Sequence, residues 1–226
     1  LGWCKSFGVK QLSRILEIAC GTGNIAEILV HKGYEVDACD SSPFMLHMAS
    51  QKLFKPNLFL RSMTEELPAK DYDLALCLFD SINYLPRKTD IKLLLKNAYA
   101  ALRPGGLFVF DISTLMNSTQ NFNDATQFTQ VRDGYLVHHA SYAYLAGKQN
   151  SRLVLFRKMG QTYQKHEENH VQRVYRNIEM IEMIINSPFR LVGIFSPETR
   201  SNLYHKRSGD IDSKYARLFY VMRKEL

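Results

Sequence analysis

The chain has little of what would tie it to a membrane, a nucleic acid or an oxidising compartment. No stretch approaches the roughly 20 uncharged apolar residues that a membrane-spanning helix needs, and Leu1 to Lys10 carry no signal-peptide pattern. Lysine and arginine total 29 against 22 acidic residues, an excess that permits an acidic substrate or a nucleic acid. The basic residues are scattered singly or in pairs, however, and no longer run of them marks a nucleic-acid groove. The four cysteines, Cys4, Cys20, Cys39 and Cys77, show no C-x-x-C spacing. Three of them sit in apolar, strand-like runs, which reads as reduced thiols packed in a core and a cytoplasmic protein. Internal repeats and low-complexity tracts are absent. At 46% hydrophobic and 23% charged residues, the composition excludes disorder, collagen and coiled coil. A length of 226 residues fits one domain, or one domain carrying a large insertion.

What is present alternates in period. Arg14–Cys20 is a short apolar run followed by Gly-Thr-Gly, and Asn24–Lys32 reads as a helix stopped by Gly33. Tyr34–Cys39 is the next strand. Ser42-Pro43 then opens a second helix, with serine at the N-cap and proline in the first turn. Asn57–Arg61 is a third strand, and Tyr72–Phe79 is the nearly continuous apolar run expected of a strand buried on both faces. A helix at 89–102 has Ile91, Leu94, Leu95, Ala98 and Leu102 on one face. Arg103-Pro-Gly-Gly106 ends it, and Leu107–Ile112 is the fifth strand. This alternation predicts an α/β fold with a doubly wound, mostly parallel sheet. Beyond it, 113–126 reads as a polar loop. Strand-like runs at 127–132, 135–145, 151–158 and 161–170, separated by short turns, predict antiparallel hairpins laid over the sheet. A helix near 177–186 and strands at 190–195 and 215–223 return to the core. The resulting division is a core over 1–112, an inserted antiparallel β cap over 113–175, and a return to the core over 176–226.

The most informative stretch is Glu17-Ile-Ala19-Cys-Gly21-Thr-Gly23-Asn24. A strand ending in Gly-x-Gly at a helix N-terminus lets backbone N–H groups approach a ligand closely. Gly21-Thr-Gly23-Asn-Ile-Ala26 also satisfies the dinucleotide fingerprint, and Asp40 stands near the spacing of a ribose partner. Glu17 separates the two readings. A carboxylate at the end of the first strand repels a pyrophosphate and attracts a cationic ligand such as the ammonium and sulfonium of S-adenosylmethionine.

On these residues the chain resembles the class I S-adenosylmethionine-dependent methyltransferases, whose first motif reads [DE]-x-[GA]-x-G-x-G. Asp40-Ser41-Ser-Pro-Phe-Met45-Leu is similar to that family's D-x-S-x-x-M-L segment. Ser62-Met63-Thr64 stands where the family usually has an Asp, which makes Ser62 a departure. Asp71-Tyr-Asp73 leading to Phe79-Asp80-Ser-Ile-Asn-Tyr84 resembles the fourth-strand motif of small-molecule methyltransferases, and Leu102-Arg-Pro-Gly-Gly106 the turn before their fifth strand. The hairpins with Glu168-Asn-His170-Val-Gln-Arg173 resemble the cap of a bacterial subgroup.

The resemblance implies a seven-stranded, Rossmann-like sheet with an antiparallel cap, and S-adenosylmethionine as cofactor. It implies cofactor contacts from Glu17, Ala19, Gly21, Gly23, Asp40, Ser41, Met45, Ser62, Met63, Phe79 and Asp80. Tyr84 and Arg173 are the expected acceptor contacts. His170 and Glu168 are the candidates for a base or for orienting the acceptor, which is expected to be a small molecule. Members of the family usually carry a helical segment ahead of the first strand that closes over the cofactor, and in this chain that stretch is short. The alternatives are an NAD-dependent oxidoreductase, a nucleic-acid methyltransferase and a non-catalytic cofactor-binding module. Against the nucleic-acid enzyme, Phe79-Asp80-Ser-Ile replaces the [DN]-P-P-[YFW] used on flipped bases. His166-Glu167-Glu-Asn-His170 is a literal H-E-x-x-H, but its polar flanks and its place after three hairpin strands argue for a strand and against a zinc helix. No metal is expected. His138 and His139 point to opposite sides of their strand, so at most one of them enters a pocket.

Overall fold

The computed structural model describes residues 14–68, 71–199, 201–204 and 210–225; Cys4 and the segment ahead of the first strand lie outside them. The chain alternates β1 (Arg14–Ile18), α1 (Asn24–His31), β2 (Glu35–Asp40), α2 (Pro43–Ser50), β3 (Asn57–Leu60), β4 (Tyr72–Cys77), α3 (Lys88–Ala101) and β5 (Leu102–Ser113). Four strands follow: β6 (Ala125–Val131), β7 (Gly134–Ala143), β8 (Lys148–Met159) and β9 (Thr162–Arg173). Helix α4 (Asn177–Ile185), β10 (Phe189–Phe195) and β11 (Arg217–Lys224) close the fold. Among the described residues no helix is long and apolar enough to cross a membrane.

The local chemistry accounts for these elements. Ser42 caps α2 by accepting the Met45 N–H at 3.3 Å, with Pro43 in the first turn where its missing N–H costs nothing. Strand β4 is buried at every position but one, because both faces of the sheet are covered. The helical stripe Ile91, Leu94, Leu95 and Ala98 of α3, joined by Met180, Met183 and Ile184 of α4, packs on one face. Ala26 and Leu29 of α1 pack on the other.

Seven strands form one sheet in the order β10-β11-β5-β4-β1-β2-β3. All pairings are parallel except the two made by β11. The strand order reverses between β1 and β4. In a doubly wound sheet the carboxyl ends of the strands flanking that reversal open a crevice, and here they present Glu17 and the residues after Cys77. Two local expectations need correcting. Arg103-Pro-Gly-Gly106 is not a turn that ends before the strand. Its backbone already belongs to β5, with the pairing to β4 slipping between Tyr72↔Leu102 and Leu74↔Leu107. The 113–126 stretch is not wholly loop, since Asn117–Asn121 makes a π-helical turn.

The other sheet is antiparallel, in the order β6-β7-β8-β9. Its register places His138, Leu153 and Glu168 in one cross-strand row and Ala140, Ser151 and His170 in the next, on the side facing the large sheet. It is tied there through the single turn Ser81–Tyr84 that follows β4. The Asn83 side chain donates to the carbonyls of Ser113 and Arg173 and accepts the Ser113 N–H, and Tyr175 donates to Leu85 O at 2.6 Å.

Candidate active site

Two clefts meet at the end of β4. The first, of about 300 Å³, is walled by Glu17, Ala19, Cys20, Gly21, Thr22, Asn24 and Ile25 on one side and by Leu78, Phe79 and Ser81 on the other. Its shape follows from backbone that side chains disfavour. Ala19, Gly21 and Gly23 have φ of 56°, 54° and 74°, all in the left-handed region. The two glycines do different work. A Cβ on Gly23 would stand 2.9 Å from Ala49 Cβ, so this glycine lets α1 and α2 approach; a Cβ on Gly21 would meet nothing within 4 Å and would project into open space.

Asp40 organises this loop. One carboxylate oxygen accepts the Gly21 N–H at 2.8 Å and the other the Ser42 N–H at 2.9 Å. Each oxygen keeps acceptor capacity for a further donor. Glu17 is 4% exposed, and its Oε2 is buried without a hydrogen-bond partner among the described residues. Burial pushes its carboxyl up to about 8; the Ala26 N–H opposes the shift and neighbouring Asp40 adds to it. An orphaned carboxylate oxygen on the wall of a cleft suits a cationic ligand, and a second carboxylate with free lone pairs suits hydroxyl donors. This pair of acceptor groups therefore fits an amino-acid ammonium and a ribose. The thiols of Cys20, Cys39 and Cys77 are all buried; burial, with added repulsion from these acids, holds each well above the ordinary range.

The second cleft, of about 240 Å³, lies between the two sheets. Asp80, Tyr84, Ser113, Asn117 and Arg217 come from the large-sheet side, and His138, Gln149, Ser151, Leu153, His170 and Gln172 from the small sheet, with Phe122 between. The Tyr84 hydroxyl is 3.0 Å from His170 Nδ1, and His170 Nε2 is 3.3 Å from a Glu168 oxygen. Burial raises the Tyr84 phenol, and the charges of Asp80 and Glu168 add to the effect. Burial depresses His138, with His170 and His139 adding, and its Nε2 is buried without a partner among the described residues. Arg217 donates to Asp80 Oδ1 at 2.7 Å and makes a close ion pair with Asp111. Gln172 donates to Asp80 Oδ2 at 2.6 Å. Asp111 is fully buried, and desolvation raises its carboxyl despite Arg217.

Phe79 and Asp80 join the clefts. Both are non-glycine residues in the left-handed region, with φ of 59° and 51°, a conformation that costs roughly 1–2 kcal/mol per residue. Phe79 faces the first cleft and Asp80 the second.

Of the residues expected at the cofactor, Glu17, Ala19, Gly21 and Phe79 line the first cleft, and Gly23 and Asp40 shape its wall. Ser41 lies between Asp40 and the α2 cap. Asp80 departs from expectation, since its side chain turns to the second cleft. Met45, Ser62 and Met63 are not gathered into either cleft: Met45 is 36% exposed, the Ser62 hydroxyl pairs with Thr64 at 3.0 Å, and Met63 packs against the core. Tyr84 and His170 line the second cleft, and Glu168 reaches it through His170. Arg173 does not line it. Its guanidinium donates to Pro86 O at 3.1 Å, lies 3.6 Å from Glu179 and stacks over Tyr175. His166 and His170 are four residues apart on a strand, roughly 13 Å, too far to share one ion; His139 pairs outward with Thr126 at 2.9 Å. Arg217, Asp111, Gln149 and Gln172 were missed, and no local signal marks them, because only the sheet pairings bring them here.

The chain matches the model of a methyltransferase domain over residues 15–106. It is 33% identical over 191 residues to "Putative methyltransferase YqeM" of Bacillus subtilis (strain 168), covering 80% of this chain and 75% of that one. In structure it is similar to an S-adenosylmethionine-dependent methyltransferase from Clostridium acetobutylicum ATCC 824, with a TM-score of 0.84, 21% identity and coverage of 100% and 89% of the two chains. It is also similar to S-adenosylmethionine-bound CalS10, an amino pentose methyltransferase from Micromonospora echinaspora, with a TM-score of 0.72, 15% identity and coverage of 99% and 87%.

Proposed function

The chain belongs to the class I S-adenosylmethionine-dependent methyltransferases, and from that premise we propose that it methylates a small-molecule acceptor held in the cleft between its two sheets. S-adenosylmethionine supplies an activated methyl group on a sulfonium. In this reading the protein's own residues bind, orient and exclude water, which is most of what such a displacement requires. Glu17 holds the ammonium end of the cofactor, the Gly21 loop lets the ligand approach the backbone, Asp40 takes the ribose hydroxyls, and Phe79 closes the far wall.

The observation that carries the acceptor assignment is the hydrogen-bonded series Tyr84–His170–Glu168 at the second cleft. With His170 Nδ1 as acceptor, a proton leaving the acceptor's nucleophile passes through the Tyr84 hydroxyl to that nitrogen. Glu168, beside Nε2, then stabilises the imidazolium. Arg217 is the only lysine or arginine among the lining residues, and two carboxylates already hold it. The cleft therefore favours a neutral or cationic nucleophile over an anionic one. The amino pentose acceptor of the structurally similar CalS10 supports a small polar molecule. The NAD-dependent alternative has no support from the family or its relatives.

The test begins with calorimetric titration of S-adenosylhomocysteine, with NADH in parallel. Low-micromolar binding of the first and none of the second is expected. Small amines, alcohols and phenols are then screened for release of S-adenosylhomocysteine. Turnover of an acceptor that Tyr84→Phe and His170→Asn leave untouched would remove the proposed proton path.

A further inference from the structure

The turn after β4 serves both clefts at once, and what holds it comes from elsewhere in the chain. Two consecutive side-chain-bearing residues in the left-handed region do not stay there by local preference. Around Phe79 and Asp80, the Asp80 N–H donates to Asp111 Oδ2 at 3.0 Å, the Ser81 hydroxyl to Leu78 O at 2.8 Å, and the Asn83 N–H to Asp80 O at 2.9 Å. The Asp80 side chain is held by Arg217 and Gln172. Among the described residues, Arg217 is the one side chain that pairs with both Asp80 and Asp111. It reaches them from β11, whose register sets Phe219 opposite Asp111 and Arg217 opposite Ser113. Without its charge, two carboxylates would face each other across a turn whose N–H one of them accepts.

We propose that Arg217 is a positioning residue for methyl transfer: by clamping Asp80 to Asp111 it fixes the Phe79–Asp80 turn, setting Phe79 against the cofactor and Asp80 against the acceptor. The acceptor half rests on the reading of the second cleft given above; the cofactor half does not. Arg217 itself does not line the first cleft, so an effect of its loss on cofactor affinity must travel through the turn.

The probe is S-adenosylhomocysteine, titrated calorimetrically into the wild type, Arg217→Gln, and the double variant Arg217→Gln/Asp111→Asn, with each melting midpoint recorded. The amide that Asp111→Asn introduces still accepts the Asp80 N–H but no longer needs a counter-charge. Arg217→Gln is expected to melt lower and to bind about tenfold more weakly. The double variant is expected to regain most of the melting midpoint but not the affinity, because the Asp80 side chain is then held by Gln172 alone and no longer tied to position 111. If affinity recovers together with the midpoint, Arg217 only neutralises buried charge and the proposal falls. It falls equally if folded Arg217→Gln binds like the wild type. A single variant too unstable to titrate leaves the double variant to decide, on affinity alone. Failure of the wild type itself to bind the probe would instead strike at the cofactor site.

Discussion

The Tyr84 hydroxyl and His170 Nδ1 are 3.0 Å apart although 86 residues separate them in the chain. One belongs to the turn after the fourth strand of the large sheet, the other to the last strand of the small one. This contact spans the second cleft and joins the small sheet to the large one. Tyr84→Phe should lower turnover about 10- to 100-fold, and His170→Asn about 10²- to 10⁴-fold, the usual reach of a lost proton acceptor. Both should leave S-adenosylhomocysteine affinity within twofold of wild type. Steady-state kinetics beside calorimetry checks both halves.

Glu17 makes ligand binding and stability depend on pH in a definite sense. In the ligand-free protein its carboxyl is pushed up to about 8 by burial, so between pH 4.5 and 8 the folded state holds a proton that the unfolded chain releases. That contribution to stability is full below about 4.5 and is lost as pH rises through 8. Glu17→Gln, which cannot ionise, should therefore raise the melting midpoint relative to wild type at pH 8.5 and change it little at pH 5. At pH 7, binding of a ligand bearing an ammonium should expel close to one proton. Calorimetry in two buffers of different ionisation enthalpy counts it, and Glu17→Gln should abolish the release.

The two glycines of the loop should fail differently. Gly23→Ala meets both a left-handed backbone, about 1–2 kcal/mol, and a Cβ 2.9 Å from Ala49 Cβ, which adds roughly 1–3 kcal/mol of overpacking. Its main effect should be on the melting midpoint. Gly21→Ala carries only the backbone cost, but it adds a methyl in open space on a residue that lines the first cleft, so cofactor affinity should fall tenfold or more with a smaller loss of stability.

Asp40→Ala removes the acceptor for two backbone N–H groups, Gly21 and Ser42, which costs about 1–3 kcal/mol. S-adenosylhomocysteine binding should weaken at least tenfold while the circular dichroism of the fold survives. Asp40→Asn, which still offers one carbonyl oxygen, should fall between. Wild-type affinity in Asp40→Ala would remove the ribose assignment.

The parts of this fold legible in the sequence are those encoded within a few residues. Ser42-Pro43 announces a helix start because capping is local, and Tyr72–Cys77 announces a central strand because burial on both faces leaves no polar alternation. The first cleft was readable for the same reason: Glu17, Gly21 and Gly23 stand within one strand–turn–helix passage. The second cleft was only half readable. Tyr84 and His170 carried a family signal, whereas Arg217, Gln149 and Gln172 enter through strand registers fixed by the whole fold. Arg173 shows the converse. It lies next to Gln172 on β9, and strand alternation turns its side chain away from Asp80, toward Pro86 and Glu179.

Cys20 lines the same cleft as Glu17 and Gly21. With the cofactor bound in this cleft as proposed, a sulfur nucleophile lies beside an alkylating reagent, and self-alkylation is an obvious hazard. The burial and the neighbouring acids that push this thiol, and those of Cys39 and Cys77, far up keep the reactive thiolate scarce. The burial that shapes this cleft wall, with the neighbouring acids adding to it, thus also passivates the sulfur beside it.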